Sequence, residues 1–395
     1  MARTRAALLL CALPAASAYA QGALAPSAEW RASPVFAMWN FGTAVAQPAG
    51  DITDVRQVAV PLHTRFQLQR RWTVDVSGAV SSSTVSLNTN GTERTLSLSG
   101  LSDVNVRLTG PLKGDAVMLT AGLNIPTGST ELDGDATTVL QTAAAPALSM
   151  PVGALGLGFG GTIGVLGARE AGPWAVALGA SVEQRSEYTP VALALSGTTS
   201  RTTLAPGMAT HLSLGADRSV GAHRLSLLVV GDVYAEDQLT TATGSTSSAS
   251  QYSLGPQVTA IGRLDFARAG WHGTAANASF RMRSEFTDAA GTTVAGSGGS
   301  YLEASIGGVR GSVTRPGLIL GADARYHSGL DFTSALVGAA VTAVGATVGV
   351  DWPFARASLR VALRAQAGSL DTGSASTSIM GLQLSGSLSA RGGSR

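Results

Sequence analysis

Hydrophobic and polar residues alternate along much of this chain, and residues 100–128 show the pattern most clearly. Between residues 104 and 109 every second position is apolar, and the intervening positions hold Asn, Arg and Thr. A turn containing Gly, Pro and Asp follows at 110–115, and the alternation resumes over 117–125. Because successive side chains of a strand point to opposite faces, a period of two gives one apolar and one polar face. The segment therefore predicts two antiparallel strands joined by a tight turn.

The same alternation continues to the C-terminus, and the breaks between the predicted strands alternate between short turns and long loops rich in Gly, Ser, Thr and Asp. This arrangement is typical of transmembrane β-barrels of the bacterial outer membrane. We predict an all-β, antiparallel, up-and-down transmembrane barrel of about sixteen strands, or about fourteen if the segments 34–41 and 335–350 are not strands. The long loops are predicted at residues 42–53, 88–100, 127–146, 187–200, 237–250, 287–299, 329–335 and 371–377.

The composition favours a protein whose surface faces lipid. Hydrophobic residues make up 45% of the chain and charged residues only 13%, against about 25% charged in an average soluble domain. The most apolar stretch, residues 147–168, is long enough to span a membrane as a helix, but its apolar residues are spaced by two, so a strand is expected there. Most of the six tryptophans are expected near strand ends, in the aromatic girdles of the membrane interfaces: Trp30, Trp39, Trp72, Trp174, Trp271 and Trp352.

The N-terminus has the features of a secretory signal peptide. Arg3 and Arg5 precede a short apolar core, and Ala18-Tyr19-Ala20 fits a cleavage site. Residues 1–20 are therefore predicted to be removed, which leaves a barrel domain of residues 21–395. A lipoprotein signal at Cys11, the only cysteine, is a less favoured alternative. Without the two arginines, 25 basic residues balance 25 acidic ones, so nothing in the charge favours binding to nucleic acid.

Charged residues on the polar faces of the strands are the candidate functional residues, because a charge on the lipid face of a barrel is costly. They can form an arginine-rich constriction that favours anionic or polar solutes, or a network of pairs that neutralises itself. The loop 127–146 is the candidate for a constriction that folds inward. The candidate pore-lining residues are Arg65, Asp75, Arg107, Arg263, Asp265, Arg281, Arg283, Glu285, Asp323, Arg325, Arg360 and Arg364.

Signals of enzymatic or cofactor chemistry are weak. The match to G-x-G-x-x-G at 156–161 lies in a predicted strand instead of between a strand and a helix, so no nucleotide site is expected. The five histidines lack metal-ligand spacing. His327 and Ser328 are neighbours in a strand and point to opposite faces, which argues against a hydrolytic pair. We therefore predict a non-enzyme without cofactor or metal; an outer-membrane lipid hydrolase is the least favoured alternative.

Two short motifs carry a family resemblance. GLSDV at 100–104 and GLNIPTG at 122–128 resemble segments of bacterial outer-membrane transporters of the meta-pathway phenol-degradation type, a group related to the fatty-acid transporter channels. The resemblance implies passive passage of small hydrophobic or aromatic compounds, whereas the lumen charges favour polar or anionic solutes. A non-conducting structural or surface-binding barrel is the main alternative. Outer-membrane lipid and the barrel-assembly machinery are the expected partners; the sequence gives no oligomeric state.

The chain departs from the relatives of this group at both ends. Its last residues are Gly-Gly-Ser-Arg, whereas such barrels commonly finish with an aromatic residue that the assembly machinery reads. Residues 21–33 are too short for the N-terminal hatch of the fatty-acid channels and lack its Asn-Pro-Ala signature. A gate of the hatch type is therefore not expected.

Overall fold

The computed structural model of the chain describes residues 27–45, 50–68, 71–113, 116–145, 148–195, 198–288, 290–329, 339–354, 356–372 and 376–393, so the predicted signal peptide lies outside the described residues. The elements are β1 (Ser27–Ala32), β2 (Val35–Val45), β3 (Asp51–Leu68), β4 (Trp72–Thr89), β5 (Thr92–Leu101), β6 (Val104–Lys113), β7 (Val117–Ile125), α1 (Gly134–Ala144), β8 (Gly160–Ala171), β9 (Trp174–Arg185), β10 (Tyr188–Leu195), β11 (Thr198–Ala205), β12 (Ala209–Val220), β13 (His223–Tyr234), β14 (Asp237–Thr243), β15 (Thr246–Tyr252), β16 (Gln257–Asp265), β17 (Trp271–Arg283), β18 (Gly299–Arg310), β19 (Gly317–Gly329), β20 (Ala340–Pro353), β21 (Ala357–Asp371) and β22 (Ser376–Gly393).

Eighteen of these strands form one closed antiparallel sheet. The first two, β1 and β2, pair with β22 on one side and with β3 on the other, which closes the barrel. Strands β1 and β2 together form one wall strand with an interruption. Strands β5 and β6 form another, because they pair with successive parts of β4. The wall therefore has sixteen strands, and the predicted fold and strand number are confirmed. The predicted segments 34–41 and 335–350 contain the strands β2 and β20; residues 335–338 lie outside the described part of the chain.

The two faces of the wall follow the predicted alternation. Along β20, Val344 and Val348 are 60% and 49% exposed, whereas Val341 and Ala343 are buried. The exposed set forms the outer face, where lipid takes the place of the partner layer that a sheet in water needs. Trp352 is exposed near a strand end, as a girdle residue would be. Trp39 does not fit the girdle prediction, because its register places it on the inner face, where it is 4% exposed.

Several predicted loops are in fact paired strands. The segment 88–100 is the tip of the hairpin β4–β5, which turns at Asn90 and Gly91 with φ of 51° and 83°. Positive φ at both positions fits the right-handed twist of a two-residue hairpin and is tolerated best by Asn and Gly. Strands β10, β11, β14 and β15 form a separate four-stranded sheet at the long-loop end. In β11 and β15, Ser and Thr occupy both faces, so the alternation of hydrophobicity is absent from the sequence of these two strands.

The longest connection, residues 126–159 between β7 and β8, is called the luminal segment here. It contains α1, and strand β8 begins only at Gly160, so the strand predicted within 147–168 covers only the second half of that stretch. The match to G-x-G-x-x-G starts in the luminal segment and ends in β8, and no helix follows it. No helix among the described residues is long and apolar enough to cross a membrane.

Candidate functional site

The luminal segment lies inside the barrel. Val139 and Leu148 belong to one buried cluster with wall side chains from β2, β4 and β20. A neighbouring contact fixes the side on which this cluster lies: Arg325 of β19 stacks on Trp39 of β2, although these strands are four apart around the wall. Neighbouring strands are about 4.8 Å apart, so side chains of such distant strands meet only on the concave face. The segment therefore fills part of the lumen.

The helix α1 begins at an N-cap. Asp133 accepts a hydrogen bond from the backbone N–H of Ala136 at 2.7 Å, which satisfies one of the free donors of the first turn. Val139 is fully buried against the wall. Two exposed ion pairs, Arg94–Asp135 and Arg201–Glu131, join the segment to β5 and to the sheet at the long-loop end. Exposed pairs contribute about 0–1 kcal/mol each, so burial of the apolar face is the main attachment of α1.

Beyond α1 the luminal segment is held by hydrogen bonds to the wall. Gln57 donates to the carbonyl of Val152 at 2.7 Å and accepts from its N–H at 2.8 Å. Trp39 donates to the carbonyl of Leu148 at 2.8 Å, and Arg325 donates to the hydroxyl of Ser149. The predicted inward folding of the loop 127–146 is confirmed by α1, but these wall contacts lie further along the chain than that prediction placed them.

Both ends of the luminal segment are tied to one carboxylate. Asp103 is buried and accepts hydrogen bonds from the N–H of Gly128 at 3.0 Å and from the N–H of Leu157 at 2.7 Å. Asn124 also donates to it, at 2.8 Å. A side chain at Gly128 would collide with the carbonyl of Leu155, which explains the glycine. The GLSDV and GLNIPTG motifs therefore meet in space and form the joint between the segment and the barrel.

Most of the predicted pore-lining charges are paired with one another or with nearby carboxylates. Arg65 bonds Asp75 at 2.7 Å, and Arg107 lies opposite Asp75 in the register. Arg263 pairs with Asp265 at 2.6 Å. On the other side of the barrel, Arg364 pairs with Asp323 at 2.5 Å across the intervening strand β20, and Arg360 pairs with Asp351 at 3.0 Å. The predicted self-neutralising network describes these contacts better than a row of free arginines.

The remaining predicted residues lie toward the long-loop end. Arg281 stacks on Tyr301, and Arg283 donates to the carbonyl of Ser297 at 3.2 Å. Glu285 lies beyond the end of β17, in a loop, where it accepts from the N–H of Gly296. Arg325 is buried beneath the luminal segment. The alternation of faces could not reveal that Trp39, Gln57 and Asp103 hold the luminal segment. In the sequence, a single indole, amide or carboxylate on a polar face looks like any other residue of the lumen.

A cavity of about 1020 Å³ lies between α1, the wall strands β9, β12 and β13 and the sheet at the long-loop end. Its lining combines apolar and aromatic side chains with charged ones, among them Glu183, Arg185 and Asp288. Gln141 of α1 forms part of the boundary, so the luminal segment shapes this space. We call it the aromatic cavity; its aromatic lining residues are Tyr188, Tyr234, Tyr252 and Phe286.

Polar groups at two positions of the aromatic cavity have fixed orientations. His211 contacts Asp232 through Nδ1 at 2.7 Å, with Nε2 4.0 Å from Glu183. At the long-loop sheet, the hydroxyl of Tyr252 bonds the carboxylate of Asp237, which also accepts from the N–H of Gly207. Burial raises the pKa of both the Asp237 carboxyl and the Tyr252 phenol. An apolar chamber with few oriented polar groups is the usual form of a small-molecule site.

The architecture gives no support to the catalytic and metal alternatives. His327 is buried on the inner face, whereas Ser328 points away and bonds Ser300 at 3.1 Å. Within the described part of the chain, no group of three or more His, Cys, Asp or Glu side chains could hold a metal ion.

These features define the class of the protein. A closed antiparallel barrel satisfies its backbone hydrogen bonds internally and presents an apolar outer face, which is what spanning a bilayer with strands requires. The chain is a transmembrane β-barrel with a segment of its own packed in the lumen.

Solved structures of similar architecture include outer-membrane channels. OccK2 (OpdF) of Pseudomonas aeruginosa, solved in complex with glucuronate, is 12% identical over 92% of this chain and 96% of its own, with a TM-score of 0.44. A deltaS2 mutant of TodX, described as a monoaromatic hydrocarbon channel, is 11% identical over 93% and 90%, with a TM-score of 0.44. The COG4313 outer membrane channel from Pseudomonas putida F1 is 12% identical over 94% and 97%, with a TM-score of 0.34. No protein-family model and no curated protein matches the chain.

Proposed function

We propose that the protein is a passive outer-membrane channel for small molecules, and that its solutes are small, largely apolar aromatic compounds that enter through the aromatic cavity. The aromatic cavity is the observation that carries this proposal. It lies at the long-loop end, which faces the exterior in barrels of this kind, and it leads toward the lumen beside α1.

The charges of the lumen support a largely apolar solute over an anionic one. Four arginines of the lumen are paired with carboxylates, which are those of Asp75, Asp265, Asp323 and Asp351. A paired guanidinium and carboxylate leave little net field in the lumen, because opposite charges a few Å apart cancel at a distance. The aromatic lining offers stacking contacts worth about 0.5–1.5 kcal/mol each beyond simple burial.

Uptake of a neutral aromatic probe tests the proposal. Cells that express the full chain are given radiolabelled benzyl alcohol, and initial uptake is compared with that of cells without the protein. We expect Phe286→Ala to lower uptake by about fivefold, because one aromatic contact of the cavity is lost. Phe280→Ala is the matched control, since Phe280 lies on the outer face of β17 and is 39% exposed.

Conductance of the purified protein in planar bilayers distinguishes this proposal from a non-conducting, surface-binding barrel. A folded barrel that shows neither ion current nor benzyl alcohol uptake would contradict the channel proposal. Equal uptake by the Phe286 and Phe280 variants would show that benzyl alcohol does not enter through the aromatic cavity. We further propose that residues 1–20 are cleaved during export, which N-terminal sequencing of the mature protein checks.

A further inference from the structure

The arginines of the lumen use the same edge of the guanidinium to hold carboxylates. Arg360 donates through Nε and Nη2 to the two oxygens of Asp351, and Arg364 does the same to Asp323. Arg263 also uses Nε and Nη2 toward Asp265. This edge presents two parallel N–H groups and matches the two oxygens of a carboxylate. It is thus the carboxylate-binding edge of this lumen.

Arg325 has the same edge without a partner. Its Nη1 donates to Ser149, but Nε and Nη2 are buried and have no hydrogen-bond partner in the protein. The residue is 3% exposed. Glu303 lies opposite Arg325 in the register, but its carboxylate bonds the Tyr301 hydroxyl and Arg364. A buried cation without a hydrogen-bonded anion is costly, so this arrangement requires an explanation.

His327 extends the same unpartnered surface. It lies two residues from Arg325 on the inner face of β19, it is fully buried, and neither ring nitrogen has a hydrogen-bond partner in the protein. Its ring meets Tyr301 edge to face, with 6.3 Å between centroids, and the indole of Trp39 packs on the Arg325 guanidinium. Two aromatic rings and up to three N–H donors therefore converge beneath the luminal segment.

The part of the luminal segment that covers these groups is strained. Ser149, whose hydroxyl bonds Arg325, has φ of 49°, in the left-handed region that residues other than glycine rarely adopt. Strain of this kind is retained where the surrounding structure holds it, and it is common at ligand clamps and switches. The cover is short, and its anchors are the bonds from Trp39 and Arg325, a bond between Ser149 and Tyr301, and the burial of Leu148.

We propose that Arg325, His327 and the rings of Trp39 and Tyr301 form an occluded binding site for a small aromatic carboxylate, which becomes available when residues 148–150 move away from the wall. The carboxylate takes the free Nε and Nη2 edge of Arg325, and the imidazole of His327 donates a further hydrogen bond. This inference rests on the proposed channel function and adds a second solute class to it. None of these four residues lines the aromatic cavity, so the two sites are separable by mutation.

Isothermal titration of the purified full chain with benzoate, with benzyl alcohol as the neutral analogue, tests this site. We expect Arg325→Lys to weaken benzoate binding by about tenfold or more, because lysine keeps the charge but loses the two-pronged edge. Arg224→Lys is the control, since the Nε of Arg224 is already bonded to both oxygens of Asp217. It should leave benzoate affinity within about twofold of the wild type.

A substitution in residues 148–150 tests whether this part of the luminal segment blocks the site at Arg325. Ser149→Ala removes the hydroxyl bonded to Arg325, and benzoate should then bind faster or more tightly than to the wild type. Equal benzoate affinity for the wild type and Arg325→Lys would overturn the proposal, and so would an absence of benzoate binding to both the wild type and Ser149→Ala. If benzyl alcohol uptake persists in that case, the channel function stands and only the carboxylate site is lost.

Discussion

At the scale of single residues, Asp103 is the side chain that joins the luminal segment to the barrel, and it was not among the charged residues predicted to line the pore. Its two oxygens accept hydrogen bonds from the backbone at both ends of the luminal segment and from Asn124. A carboxylate suits this place because it accepts several bonds and donates none. The GLSDV motif that contains Asp103 thus has a structural role, because Asp103 joins the two ends of a long loop.

Replacing Asp103 with alanine should destabilise the barrel and loosen the segment. The N–H groups of Gly128 and Leu157 would lose their acceptor, and each buried unsatisfied donor costs about 1–3 kcal/mol. We expect a loss of about 2–4 kcal/mol in the free energy of unfolding, measured by urea titration in detergent micelles. Asn105→Ala, at an exposed polar position two residues away, is the control; equal losses in both variants would disprove the role of Asp103 as a joint.

At the scale of elements, the luminal segment is an addition to the wall and not part of its hydrogen-bond ladder. The wall closes through β22, β1 and β3 without it. The segment is attached by an apolar cluster around Val139 and by a few side-chain hydrogen bonds. Parts held in this way open at lower free energy than the strands around them, which suits a part that must let solutes pass.

Replacement of residues 129–157 by a short Gly-Ser linker should leave the barrel folded and widen the lumen. We expect single-channel conductance in planar bilayers to increase by about threefold or more, because a barrel of this strand number is wide enough for an aqueous channel when it is unplugged. The same linker inserted between Asn90 and Gly91, in an exposed hairpin turn, should leave conductance unchanged. An unchanged conductance after removal of the segment would show that the constriction lies elsewhere.

At the scale of the whole molecule, one geometric rule organises the wall. Lipid outside and polar side chains inside require that neighbouring residues of each strand meet opposite environments. The rule holds around the barrel, from Leu178 on β9 to Met380 on β22, both of which are exposed on the outer face. The stability of the barrel should therefore depend on whether a substituted residue faces lipid or the lumen, far more than on its position along the strand.

A pair of neighbouring substitutions tests this rule. Val348→Arg places a charge on the lipid face and should cost about 2–4 kcal/mol in the free energy of unfolding in lipid vesicles. Thr347→Arg places the same charge in the lumen and should cost less than about 1 kcal/mol. If the two variants unfold alike, the assignment of faces along β20 is wrong.

The sequence alone determined the barrel and the alternation of its faces, and it limited the strand number to about fourteen or sixteen. Each strand shows in its sequence which residues face lipid and which face the lumen. Lipid on one side and water on the other require apolar and polar residues to alternate with a period of two. In β15, Ser and Thr occupy both faces and this alternation is absent, and most of the strand was predicted as part of the loop 237–250.

Only the tertiary structure decided what fills the lumen. The helix α1 is eleven residues of mostly Ala, Thr and Gly, too short and too weakly amphipathic to be recognised, and it is stabilised by a wall that the chain builds elsewhere. The contacts that position the segment join distant residues: Asp103 meets Leu157, and Arg325 meets Ser149 and Trp39. The periodicity along the chain indicates which environment each residue faces. These contacts depend instead on closure of the barrel, which brings strands that are not neighbours, and the luminal segment, within reach of one another.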